Sequence, residues 1–230
     1  MNHIGTLGES SLHAALKQWY LRDGDQLEVN VDGSIIDIVR GSLLIEIQTR
    51  NLASIKRKLA KLSATHAIHL IYPIAREKWI VRLDQQHRQQ ISRRKSPKHG
   101  RIEDVFMELV SVAALLHDSR LVLEVAFIKE EEIWSMAKTH RRTSRWRAGW
   151  ARHDRKLIEV IEQRVFASPR DFINLLPSSL PDQFTNHELA HALGRPRYLA
   201  ERMTYSLRQM GVLEVNGKRG RSLLFQVCRL

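Results

Sequence analysis

The chain is poor in the residues that staple or loosen a fold. A single cysteine, Cys228, stands among 230 residues. This excludes an internal disulfide and a cysteine-based zinc site, and it fits a reducing cytosol. Six prolines and 11 glycines are too few for a low-complexity chain, so most of it should fold. No apolar run approaches the roughly 18 residues of a membrane span. The longest candidates, residues 43–47 and 68–72, are strand-sized. Residues 1–10 have no apolar run after a basic start, so no signal peptide is read and a prokaryotic cytoplasm is the expected location.

Positive charge is what the chain has in excess: 37 Lys and Arg against 25 Asp and Glu, a formal charge of +12. Nucleic acid accounts best for such a surplus, an anionic membrane surface next, and solubility alone last. The length allows one large domain or two small ones.

Residues 1–83 read as a compact α/β unit. Residues 9–20 form an amphipathic helix with Leu12, Leu16 and Trp19 on one face. Three strands follow at 26–31, 34–40 and 43–49, joined by the tight turns Asp32-Gly33 and Gly41-Ser42. A helix to about residue 63 comes next, then a strand at 67–72 ended by Pro73, then another at 78–83. Residues 84–101 form a basic arm. Residues 102–117 pattern as one helix and 121–128 as a buried strand. Residues 136–156 are a basic linker that interleaves Trp146 and Trp150 with arginines. Residues 157–230 form a separate unit. It has helices at 157–166 and 169–176, a helix-turn-helix at 186–193 and 196–210, and a hairpin of strands 212–215 and 222–227 with a basic tip. That order is the winged-helix order.

The two tight turns set a register. Arg40 pairs with Leu43, which places Asp37 directly opposite Glu46. The preceding turn places Glu28 opposite Asp37. Three carboxylates then stand in a row on one sheet face, with Gln48 two residues beyond Glu46. Opposed like charges repel and need compensation. A Mg²⁺ or Mn²⁺ ion supplies it, and such an ion can activate water for attack on a phosphodiester. The other source of compensation is Lys56 or Lys58 of the following helix.

Asp37, eight residues, then Glu46-Ile47-Gln48, with Glu9 in a preceding helix and an α-β-β-β-α-β order, resembles the PD-(D/E)xK nuclease superfamily. The resemblance implies a restriction-endonuclease-like α/β core with a mixed sheet over residues 1–135. It implies that Asp37, Glu46 and the backbone carbonyl of Ile47 hold Mg²⁺ or Mn²⁺, and that Glu9 is an accessory acid. The family usually has lysine where this chain has Gln48. Some active members carry Glu-x-Gln, and Lys56 or Lys58 is placed to supply the missing amine. A nuclease-like domain followed by a winged helix also resembles an uncharacterised prokaryotic family of that layout.

In the winged-helix reading, Leu199, Met203, Leu207 and Met210 form the buried stripe of the recognition helix. Arg197, Arg202 and Arg208 then face DNA, with Tyr198 and Tyr205 beside them, and Lys218, Arg219 and Arg221 sit at the wing tip. The Trp146/Trp150 segment either stacks bases or anchors the linker. His187-Glu188-Leu189-Ala190-His191 matches the H-E-x-x-H zinc motif. Its longer form needs a ligand at 197, where Arg197 stands, so a helix of the helix-turn-helix is the simpler reading.

Three functions follow in order of preference. The first is a Mg²⁺-dependent DNA endonuclease aimed by the winged helix, acting as a homodimer or with a partner protein of a DNA-processing system. The second is a DNA-binding adaptor with an inactive nuclease fold. The third is a zinc metallopeptidase.

Overall fold

The computed structural model describes residues 10–84, 89–136 and 149–228. The protein is α/β, with a seven-stranded mixed sheet and a separate two-stranded antiparallel sheet. The larger sheet takes the order β1 (Gln26–Val31), β2 (Ser34–Arg40), β3 (Leu43–Ile47), β4 (Ala67–Leu83), β6 (Leu121–Met136), β7 (Trp150–Phe166), and β5 (Gln90–Lys95) pairs with β4. The chain divides into two compact units. One comprises Met1–Leu21, Pro73–Gly100 and Ala126–Gln163, the other Arg22–Tyr72, Arg101–Val125 and Arg164–Leu230.

In the second unit, β1, β2 and β3 form an antiparallel meander. The first turn is made by Asp32 at φ 50 and Gly33 at φ 76, the left-handed pair that a tight hairpin requires. After β3 the chain passes through a 3-10 turn, Leu52–Ile55, and α2 (Lys56–Leu62), and returns as β4 parallel to β3. Leu59 and Leu62, each 1% exposed, seat α2 in the core.

Residues 102–117 fold as two 3-10 segments around one short helix, α3 (Phe106–Leu109), not as a single helix. The Ser111 hydroxyl donates to the Glu108 carbonyl at 3.0 Å, beside the β-branched Val110 and Val112. That bond competes with the helical ladder where branched side chains already disfavour it. The apolar face survives the break, for Val105, Phe106, Leu109 and Ala113 are all buried.

The rest of this unit holds a 3-10 segment, Pro169–Leu175, then α4 (Asn186–Leu193), α5 (Arg197–Gln209), β8 (Leu213–Arg219) and β9 (Ser222–Val227). Phe184 and Phe225 exchange both backbone hydrogen bonds, at 3.0 and 2.8 Å, which ties the β8–β9 hairpin to the chain before α4. Leu199, Met203, Leu207 and Met210 are at most 2% exposed, the stripe expected of α5. The Arg202 guanidinium donates to the Met107 carbonyl at 2.9 Å, and Arg195 pairs with Asp104.

The first unit contains α1 (Ser11–Tyr20), capped by the Ser10 hydroxyl, which accepts the His13 N–H at 3.4 Å. Its strands correct four expectations. β4 does not stop at Pro73. Along that edge it pairs with β3 through Ile71 and with β5 from Trp79, so the missing proline N–H falls where neither partner needs a donor. Part of the basic arm is β5. Residues 157–166, expected as a helix, are the second half of β7. Ile158, Val160, Ile161 and Val165 are β-branched, and pairing with β6 overrides the weak helical pattern. Residues 150–156 of the expected linker belong to the same strand, while Trp146 lies outside the described residues. Among the described residues, no helix is long and apolar enough to cross a membrane.

Candidate active site

The β2–β3 hairpin takes the expected register: Arg40 opposes Leu43, Val39 opposes Leu44 and Ile38 opposes Ile45. The next positions are Asp37 and Glu46. Instead of continuing the ladder, the Asp37 carboxylate accepts the Ile47 N–H at 2.8 Å. Asp37 is half-buried and Glu46 is 6% exposed. A carboxylate buried that far needs a positive partner. Lys58 of α2 provides it, with its ammonium 2.6 Å from Glu46 Oε1. The same ammonium donates to the Ile35 carbonyl of β2. An amine from α2 therefore pairs with an acid from β3, while an acid from β2 accepts the N–H of the next residue, Ile47.

Gln48 is engaged elsewhere. Its amide nitrogen donates to the carbonyls of Arg50 at 2.6 Å and Asn51 at 3.2 Å, and it lies 3.1 Å from the Ser54 hydroxyl. It braces the loop that starts the 3-10 turn, where Asn51 takes φ 52. Glu28 stands in β1 at φ 53, and the β1–β2 pairing skips the Glu28–Asp37 position between Leu27↔Ile38 and Val29↔Ile36. The row of three carboxylates is thus interrupted at its outer member. Glu9 lies outside the described residues.

Among the described residues, no group of three or more His, Cys, Asp or Glu is gathered to hold a metal. The donors here are two carboxylates on neighbouring strands and the Ile47 carbonyl. All are hard oxygens, a set that suits Mg²⁺, which commonly takes one or two carboxylates and keeps its remaining positions for water and phosphate.

The H-E-x-x-H segment is a cap. Glu188 accepts the Thr185 N–H at 2.8 Å and its hydroxyl at 2.9 Å, while the Thr185 hydroxyl accepts the Glu188 N–H at 3.3 Å. Arg219 holds the other carboxylate oxygen at 2.6 Å. The Thr185 N–H foremost, then the Thr185 hydroxyl and Arg219, keep the Glu188 carboxyl below its ordinary range despite some desolvation. A lowered carboxylate stabilises the fold above the ordinary pKa and loses that contribution as pH falls. The stability advantage of the wild type over Glu188→Gln should therefore shrink as pH drops below about 4. Thr185→Ala should cost about 1 kcal/mol in urea denaturation at neutral pH.

The expected DNA-facing residues share the solvent side of α5 and the hairpin. Arg197, Arg202, Arg208, Lys218, Arg219 and Arg221 are all exposed. Arg197 pairs with Glu201 at 2.9 Å. Arg202 and Arg219 are tethered as described above. Among the described residues, Arg208, Lys218 and Arg221 have no carboxylate within ion-pair distance.

A second ionic cluster, in the first unit, was not anticipated. Glu130, fully buried, takes Arg155 at 2.6 Å, and Glu132 takes Lys78 at 2.8 Å and Arg152 at 3.2 Å. Burial pushes the Glu132 carboxyl up, but Lys78 and Arg152 together outweigh it and hold it below the ordinary range. The run Glu130-Glu131-Glu132 was the available signal, because a strand puts its first and third members on one face.

Fold and site together define a mixed α/β protein with an acid–acid–amine cluster on its sheet. The chain belongs to the family described as a domain of unknown function (DUF8091), whose model matches residues 10–167 and so ends one residue past β7. It is also similar to an uncharacterized protein of Treponema pallidum (strain Nichols), 32% identical over 225 residues that cover 97% of this chain and 87% of that one. No solved structure matches it.

Proposed function

We propose that the protein is a metal-dependent DNA endonuclease of the PD-(D/E)xK kind, aimed by a C-terminal winged helix. The observation that carries this reading is the Lys58 ammonium 2.6 Å from Glu46, beside Asp37. The amine absent at Gln48 would be supplied by Lys58 of the next helix, which pairs with Glu46. Asp37, Glu46 and the Ile47 carbonyl would hold the ion, which when bound would polarise the scissile phosphate and favour a hydroxide nucleophile. Lys58 would then stabilise negative charge on the phosphate oxygens, a task for which glutamine lacks the charge. The exposed arginines of α5 and the basic β8–β9 tip support the DNA-binding half of the reading.

The same Lys58–Glu46 pair gives the second reading a foothold. It already neutralises the buried acid, as a retired site would need, and the chain would then be a DNA-binding adaptor. Supercoiled plasmid and a branched oligonucleotide, incubated with Mg²⁺, Mn²⁺ or EDTA, separate the two. Cutting that needs metal supports the enzyme. DNA binding insensitive to EDTA, with no cutting of either substrate, supports the adaptor.

A further inference from the structure

The first unit carries a charged sheet face with a surplus of one sign. Ile80 pairs with Arg94 and Arg82 with Ser92, and the Ser96 N–H bonds the Lys78 carbonyl. Paired positions share a face, so Lys78, Arg82 and Arg94 stand together. Lys78 connects them to the buried acids, 2.8 Å from Glu132 and 3.4 Å from Glu130. Arg152 and Arg155 reach the same two acids from β7. Lys78, Arg152 and Arg155 thus share Glu130 and Glu132. Among the described residues, neither Arg82 nor Arg94 has a carboxylate within ion-pair distance. Arg82 lies over the Trp150 ring, 4.9 Å from its centroid. That contact orients a guanidinium while leaving its N–H groups free to fork a phosphate.

The other face of the same hairpin differs. Arg93 and Lys95 lie over Trp79, but Glu131 and Glu77 neutralise them at 2.8 and 2.7 Å. The surplus is confined to one face, where the buried acids Glu130 and Glu132 hold part of the cationic set in place.

We propose that this face is a second DNA surface, gripping the phosphodiester backbone of a duplex through Arg82, Arg94 and Arg152 without reading sequence. It rests on the DNA-binding half of the reading above and adds a contact that neither α5 nor the β8–β9 hairpin supplies. The occupant is a polyanion because the free cations have no local partner, and guanidinium groups match phosphate.

The test is fluorescence anisotropy of a labelled duplex with the full chain in EDTA across a salt series. Wild type is compared with the double variant Arg82→Ala/Arg94→Ala and with Arg82→Lys/Arg94→Lys, after thermal melting confirms that each is folded. The alanine pair should weaken binding uniformly across unrelated sequences. It should also flatten the slope of log affinity against log salt by about 1.8, two phosphate contacts at about 0.9 each. The lysine pair should recover most of that slope. An alanine pair that matches a DNA-binding wild type in affinity and slope overturns the inference and leaves the nuclease reading standing. Tighter binding of duplex RNA than of DNA also overturns it. A wild type that binds no DNA overturns both.

Discussion

Alanine at Asp37 or Glu46 should lower metal-dependent cutting by at least about 10²–10³-fold, the usual loss when one preorganised electrostatic contributor to a transition state is removed. DNA binding in EDTA should be unchanged, since the arginines proposed to grip phosphate lie on other elements. Both variants should fold. Asp37→Ala loses the hydrogen bond from the Ile47 N–H, at about 1 kcal/mol. Glu46→Ala leaves the Lys58 ammonium without its acid, but that side chain is 21% exposed and its long stem can carry the charge to water. Lys58→Ala is the sharper test. It removes the Lys58 counter-charge from the buried Glu46 carboxylate, so some stability is lost whatever its role. If Lys58 acts on the phosphate, cutting falls by about 10²-fold even at saturating metal. If it is only a counter-ion, added Mg²⁺ replaces its charge and cutting recovers. The metal dependence of the rate separates these outcomes, which a single activity measurement would not.

Phe172→Ala should be strongly destabilising, at about 3–5 kcal/mol. Phe172 is 1% exposed. It stacks on Phe166 with ring centroids 4.4 Å apart and 18° between planes, and it meets Phe106 edge-on at 6.2 Å. One ring therefore joins the end of β7, the 3-10 segment and α3 inside one core. Truncation removes both aromatic contacts and leaves a void that three separate elements cannot easily collapse into. Urea denaturation followed by circular dichroism gives the loss directly. Phe172→Leu should retain most of the stability, and a small loss for alanine would mean that the cluster relaxes around the gap.

Local turn chemistry made the meander legible. Asp32-Gly33 and Gly41-Ser42 set the register, and with it the Asp37–Glu46 juxtaposition. Gly194, at φ 61, ended α4 for the same reason, while its cap could be either Thr185 or Asn186 until the structure placed Thr185 there. The long strands were less legible. β4 looked interrupted because Pro73 reads as a strand end unless the gap between its two partners is known. β7 looked helical because Leu157, Val160 and Ile161 fall at helical spacing, and only pairing with β6 decides otherwise. Lys58 was named with Lys56 as a compensating amine, but sequence spacing does not show which residue of α2 reaches the sheet. The Gln48 amide could not be placed, because its partners are backbone carbonyls of a loop whose path depends on Asn51.

The three residues other than glycine with positive φ are not alike. Asp32 and Asn51 belong to the residue types that accept left-handed backbone readily, whereas Glu28 does not. A glutamate held at φ 53 costs roughly 1–2 kcal/mol that a glycine would not incur. Selection for thermal endurance alone would have placed glycine there, next to Asp37. The chain instead tolerates a standing penalty at the edge of its acidic site, which marks position 28 as one where robustness has been traded for a side chain.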